Sequence, residues 1–159
     1  MPYYDYYQSP HGRMLLVADD KALTGVYFTG QKHQPRIEEG WKKDEGHAPL
    51  RQAKRELAEY FSGARTRFTV KVAPHGTPFQ RAVWKAIAGV GFGRTIAYAE
   101  LARRAGRPGS ARAAGAATGR NPIGIIVPCH RIVGSNGALT GYAGGLANKS
   151  ALLTLEGRS

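Results

Sequence analysis

Residues 123–133 read Ile-Gly-Ile-Ile-Val-Pro-Cys-His-Arg-Ile-Val and hold the only cysteine of the chain. No other stretch constrains the fold as tightly, because both apolar flanks must be buried while three reactive side chains stay addressable between them. The β-branched approach predicts a buried strand. Pro128 removes a backbone donor and fixes φ, which sets Cys129 on a stiff turn outside any regular ladder. Cysteine attacks as its thiolate, and a neighbouring cation or hydrogen-bond donor lowers the thiol pKa from ~8.5. His130 and Arg131 are the residues expected to do this. An unpaired cysteine can equally be a small buried hydrophobe, and the Pro-Cys-His-Arg setting favours the nucleophile. One cysteine excludes an internal disulfide, a resolving-thiol redox cycle and a multi-cysteine metal site.

The net charge is +12 over 159 residues, and it is unevenly placed. Residues 1–75 carry twelve Lys and Arg against nine Asp and Glu, leaving +3. Residues 76–159 carry eleven against two, Glu100 and Glu156, leaving +9 on the half that bears the thiol. A field of one sign concentrates a polyanion, and nucleic acid is the commonest such partner. The length suits one domain or two small lobes. No apolar run approaches the ~20 residues of a membrane span, and the tyrosine-rich N-terminus is no signal peptide. A cytoplasmic protein without a membrane partner is expected.

The first lobe, residues 1–75, alternates in strand fashion over 3–8, 13–18 and 23–28, with turn chemistry at Ser9-Pro10-His11-Gly12 and Asp19-Asp20-Lys21. A three-stranded antiparallel meander follows from that. Residues 29–48 are expected to form a loop. Pro49 opens a helix with Leu50, Ala53, Leu57 and Tyr60 or Phe61 on one face, closed by Gly63, and residues 67–72 could add a strand. His11, His33 and His47 show no ligand spacing and read as surface or turn residues.

The second domain, residues 76–159, begins after the connector 73–77. Pro78 starts a helix ending at Gly89. A second helix runs through Glu100 to Ala105, Gly106-Arg107-Pro108-Gly109 breaks it, and Ser110 is the expected N-cap of a third helix to about Thr118. Helix, tight glycine-containing turn and helix outline a helix-turn-helix. The third helix is nearly bare, with Arg112 its one long side chain. It offers no major-groove code, but fits a minor groove, where Arg112 could insert into the base stack. The alternative is that its small residues let two helices pack closely. Residues 134–145 are flexible and rich in donors, Tyr142 offers a stacking surface, Asn148 is expected to cap a last helix, and Glu156 could pair with His130.

Taken together, Pro128-Cys129-His130-Arg131-Ile132-Val133, Asn121-Pro122, Ile96-Ala97-Tyr98, Ala111-Arg112-Ala113 and residues 141–146 resemble the O6-alkylguanine-DNA alkyltransferases, most of all the bacterial methylated-DNA–protein-cysteine methyltransferases. The resemblance is strong over residues 76–157. It implies an α+β fold: a ribonuclease H-like lobe with an antiparallel sheet and a helix, then a mostly helical domain with a helix-turn-helix. It implies a suicide methyltransferase that binds double-stranded DNA in the minor groove and flips out O6-alkylguanine, or O4-alkylthymine, to move the alkyl group irreversibly onto Cys129. A relay of Glu156, His130, a water and Cys129 activates the thiol; Asn121, Tyr98 and Lys149 complete the catalytic set. The DNA face comprises Arg112, Ala111, Ala113, Gly115, Tyr98 and Arg120, and the base pocket Tyr142, Ala143, Ile132 and Pro128. Ala143 stands where some relatives have serine, leaving only a backbone N–H toward O6. No cofactor and no metal are expected, and the protein is expected to be a monomer able to cluster cooperatively on DNA. A non-catalytic damage sensor on the same scaffold would lack Cys129, and a cysteine hydrolase would leave the basic, bare helix without a purpose.

Overall fold

The computed structural model describes residues 2–157. Strands β1 (Tyr3–Ser9), β2 (Gly12–Ala18) and β3 (Leu23–Phe28) form the expected meander. Its turns are closed by short polar side chains. Ser9 Oγ donates to the Gly12 carbonyl at 2.7 Å, and Asp19 Oδ1 accepts from the backbone of Lys21 and Ala22, each at 2.8 Å. Successive β2 residues point to opposite faces. Met14, Leu16 and Ala18 join the main core with helix α1 (Ala48–Phe61), while Leu15 and Val17 join Tyr27 under Ile37 and Trp41.

That second apolar face corrects the reading of residues 29–48 as plain loop. The segment crosses the outer face of the sheet, anchored by Ile37 and Trp41, and returns as β4 (Lys42–Lys43), parallel to β1. The sheet order is β3-β2-β1-β4, so it is not wholly antiparallel. Residues 67–72 form no strand beyond a single bridge between Leu23 and Val72. The backbone N–H groups of Thr69 and Val70 go instead to the buried Glu56 carboxylate, at 2.8 and 3.1 Å, which takes the donors a ladder would need.

Helix α2 (Pro78–Ala88) starts on a reciprocal capping box between Thr77 and Gln80. Strand β5 (Ile96–Ala97) leads into α3 (Tyr98–Arg104), and α4 (Ala111–Gly119) completes the helix-turn-helix. Ser110 precedes α4, yet its side chain makes no capping hydrogen bond, because its φ of −101° and ψ of 42° lie outside the usual N-cap region. Ala114 and Ala117 are buried, and the Trp84 indole of α2 donates to the Ala117 carbonyl at 2.8 Å. Small residues therefore do bring two helices close on the inner side of α4, while Arg112 and Ala116 stay exposed on the outer side.

After a 3-10 turn over Cys129–Arg131, strand β6 (Ile132–Val133) pairs parallel with β5, and helix α5 (Leu146–Leu155) closes the described chain. Gly145, with φ 96°, sits at the N-cap of α5 in place of the expected Asn148, whose amide donates back to the Gly144 carbonyl at 2.8 Å. The architecture is α+β, a sheet lobe followed by a helical domain around one continuous core. No helix among the described residues is long and apolar enough to cross a membrane.

Candidate active site

The approach to the thiol is not a strand. Val26 of β3 bridges to Ile123, with Val26 N donating to the Pro122 carbonyl at 2.8 Å and Gly124 N to the Val26 carbonyl at 3.0 Å. The chain then turns sharply at Ile125, whose φ of 67° is a strained value for a β-branched residue. Asn121 braces this turn. Its Oδ1 accepts from Ile123 N at 3.0 Å and its amide donates to the Val127 carbonyl at 2.8 Å, all of it buried. The apolar run thus serves as a packed, clamped elbow, and tertiary contacts override its strand propensity. Pro128 follows, and Cys129 opens the 3-10 turn.

Cys129 is 7% exposed and faces a cleft of about 760 Å³. Tyr98, Tyr142, Ala143 and the α4 residues Ala113 and Gly115 line it, together with Lys32, His33 and Arg120. No carboxylate lines the cleft among the described residues. Burial pushes the resting thiol upward from its usual pKa, and the Asn121 amide and Lys149 ammonium pull it back in part. Lys149 is fully buried, and its Nζ donates to the carbonyls of Ile132 at 2.6 Å and Thr140 at 2.5 Å.

Behind the thiol lies a buried ionic cluster. Glu156 accepts from His130 Nε2 at 2.7 Å, from Arg131 Nε at 2.8 Å and Nη2 at 2.9 Å, and from the Tyr60 hydroxyl at 2.6 Å. Burial alone would raise the Glu156 pKa, but the His130 and Arg131 hydrogen bonds outweigh it and keep the carboxyl ionised well below the usual range. An ionised carboxylate only accepts, so His130 carries its proton on Nε2. Burial pushes the His130 pKa down against the pull of Glu156, which leaves a neutral ring with a lone pair on Nδ1. That Nδ1 is buried and has no hydrogen-bond partner among the described residues.

Residues 2–74 match the family profile described as 6-O-methylguanine DNA methyltransferase, ribonuclease-like domain, and residues 78–158 match its DNA binding domain. The chain belongs to the 6-O-methylguanine DNA methyltransferase family. It is 46% identical over 155 residues to a methylated-DNA–protein-cysteine methyltransferase of Methanosarcina acetivorans, covering 98% of each chain. It is 43% identical over 156 residues to one of Mycobacterium bovis, covering 98% of this chain and 93% of that one. The crystal structure of Mycobacterium tuberculosis OGT in complex with DNA matches with a TM-score of 0.90 at 42% identity, covering 97% of this chain and 92% of that chain.

Not every residue expected at the site faces the cleft. Arg131 does not face the thiol: it pairs with Glu156, donates to the Val90 carbonyl at 2.7 Å and lies over the Phe92 ring. Being neutral, His130 does not lower the thiol pKa as a cation would. Pro128 and Ile132 are buried and do not line the cleft, whereas Tyr142 and Ala143 do. Tyr98 stands at the start of α3 with its ring beside Gly115, and its hydroxyl accepts from Thr140 Oγ1 at 3.4 Å. Ala111 is half-buried; Arg112 is exposed at the start of α4, outside the cleft lining. Arg120 donates to His33 Nδ1 at 3.1 Å. His33, read as a surface or turn residue, is exposed and lines the cleft together with Lys32, which no sequence pattern places there. Gly144 belongs to the expected pocket stretch, and the geometry gives the reason for a glycine there: a Cβ would come within 2.7 Å of the Tyr142 ring and 2.8 Å of Phe28.

Proposed function

We infer that the protein repairs alkylated DNA by direct reversal, taking the alkyl group from O6 of guanine onto Cys129. The observation that carries this is a sole thiol opening into a carboxylate-free cleft bordered by α4, with a neutral histidine and an ionised glutamate buried behind it. The double-stranded substrate lies with its minor groove along α4, Arg112 enters the stack, and the flipped base occupies the cleft between Tyr142, Ala143 and Tyr98. Extrusion costs a few kcal/mol, less for a weakly paired lesion. The Sγ proton passes through a bridging water to His130 Nδ1, and Glu156 stabilises the imidazolium. Sulfur then displaces guanine from the alkyl carbon: one S–C bond forms, the C–O6 bond breaks, and its electron pair stays on guanine. The guanine anion takes a proton from the Tyr98 hydroxyl. The phenolate so formed is reprotonated from water in the open cleft as the His130 imidazolium returns its proton to solvent, so both side chains end neutral and the charge balances. Asn121 and Lys149 favour the thiolate, the first by hydrogen bonding and the second by its charge.

The product is a thioether, and with no second thiol to accept the group each molecule turns over once. The same pocket chemistry extends to O4-alkylthymine. The protein acts as a cytoplasmic monomer that clusters along DNA, and residues 1–75 and 76–159 form its two lobes. Incubation with a duplex containing O6-methylguanine should add one methyl group per protein molecule, located by mass spectrometry on the Cys129 peptide. Cys129→Ala should bind the duplex and leave the lesion intact. Methyl transfer by that variant, or a methyl group found elsewhere, would refute the assignment.

A further inference from the structure

Glu156 is gripped from both halves of the chain. His130 and Arg131 come from the turn that bears the thiol, whereas Tyr60 comes from α1, 96 residues away in sequence. Its hydroxyl donates at 2.6 Å to Oε2, the same oxygen that accepts from His130 Nε2 at 2.7 Å and Arg131 Nη2 at 2.9 Å. Three donors on one carboxylate oxygen share its lone pairs, so each weakens the hold of the others. The Tyr60 ring packs against Phe61, Phe68 and Phe92, and a phenylalanine would fill that space equally well. Packing therefore accounts for the ring and leaves the hydroxyl to be explained by Glu156.

We propose that Tyr60 is a positioning residue for alkyl transfer: by sharing Glu156 Oε2 with His130 it limits the proton affinity of the imidazole and keeps it a neutral base. This rests on the reading of His130 as the acceptor of the thiol proton. The other charged groups that act on His130 are Arg131 on the same turn and Lys149 on α5, both opposing its protonation, and Glu156, favouring it. Tyr60 and Tyr142 remain neutral, because burial pushes both phenols well above their usual range. The sheet lobe thereby contributes to the chemistry through one hydroxyl.

Tyr60→Phe keeps the ring and removes the bond. Glu156 then stabilises the imidazolium more strongly, and His130 loses its proton only at higher pH. The acid limb of the pH–rate profile for Cys129 alkylation by iodoacetamide, which needs no DNA, should move up by about half a pH unit or more. An NMR titration of the His130 ring should move the same way. An acid limb and a His130 titration that stay in place, or move to lower pH, would overturn the proposal even if the variant is less stable. The wild-type protein is assayed in parallel on the O6-methylguanine duplex. Failure there sinks the repair function, and the NMR titration still decides the role of Tyr60.

Discussion

Glu156→Gln removes the negative charge from the most buried ionic cluster among the described residues at almost no change in shape. Arg131, 6% exposed, would then keep its charge with no anionic partner, beside the Val90 carbonyl at 2.7 Å and the Phe92 ring. The glutamine retains one acceptor oxygen, but its amide nitrogen must face a donor, whether His130, Arg131 or Tyr60. Neutralising one partner of a buried pair costs ~3–5 kcal/mol, and the remaining acceptor places this case near the lower end. At ~2–4 °C per kcal/mol for a chain of this size, Tm should fall by about 6–12 °C. The sign of the pH dependence follows from the depressed folded-state pKa. The contribution of Glu156 is complete above its unfolded value near 4.5 and is lost as pH falls through the lower folded value. Urea denaturation at pH 7 and at steps down to about pH 3 should therefore show the gap between wild type and variant closing on acidification. A gap below about 1 kcal/mol at pH 7, or one that stays constant down to pH 3, would refute the assignment of a stabilising buried cluster.

Two further substitutions probe the DNA face and the cleft wall. Arg112→Ala should slow single-turnover repair of a methylated duplex more than it weakens binding to undamaged duplex in a gel-shift titration, since phosphate contact alone would reduce both equally. Gly144→Ala inserts a Cβ between Tyr142 and Phe28, at 2.7 and 2.8 Å. It should cost about 1–3 kcal/mol in urea denaturation and slow methyl transfer by displacing the Tyr142 ring; unchanged stability would mean that the two rings are free to part.

The local patterns were legible wherever neighbours along the chain decide the outcome. The period of Leu50, Ala53, Leu57 and Tyr60 reports one face of α1, Pro78 and Gly89 bracket α2, and the two turns of the meander carry their own hydrogen-bonding side chains. The Pro-Cys-His-Arg order, with Asn121 eight residues before the thiol and Glu156 twenty-seven after it, carries the resemblance to the alkyltransferase family. Partners distant in sequence were not legible. The run 123–127 has the composition of a strand, yet Val26 and the Asn121 clamp bend it into an elbow at Ile125. Arg131 adjoins the thiol in sequence, but a buried carboxylate on the far side of the turn outbids the sulfur for its guanidinium. Periodicity marks Tyr60 as buried and says nothing of where its hydroxyl ends, because in a low-dielectric interior each polar atom must find a partner in space. The amino-acid order by itself determined which groups are present and which local elements carry them; the packing of α1, the thiol turn and Glu156 decided which charge meets which.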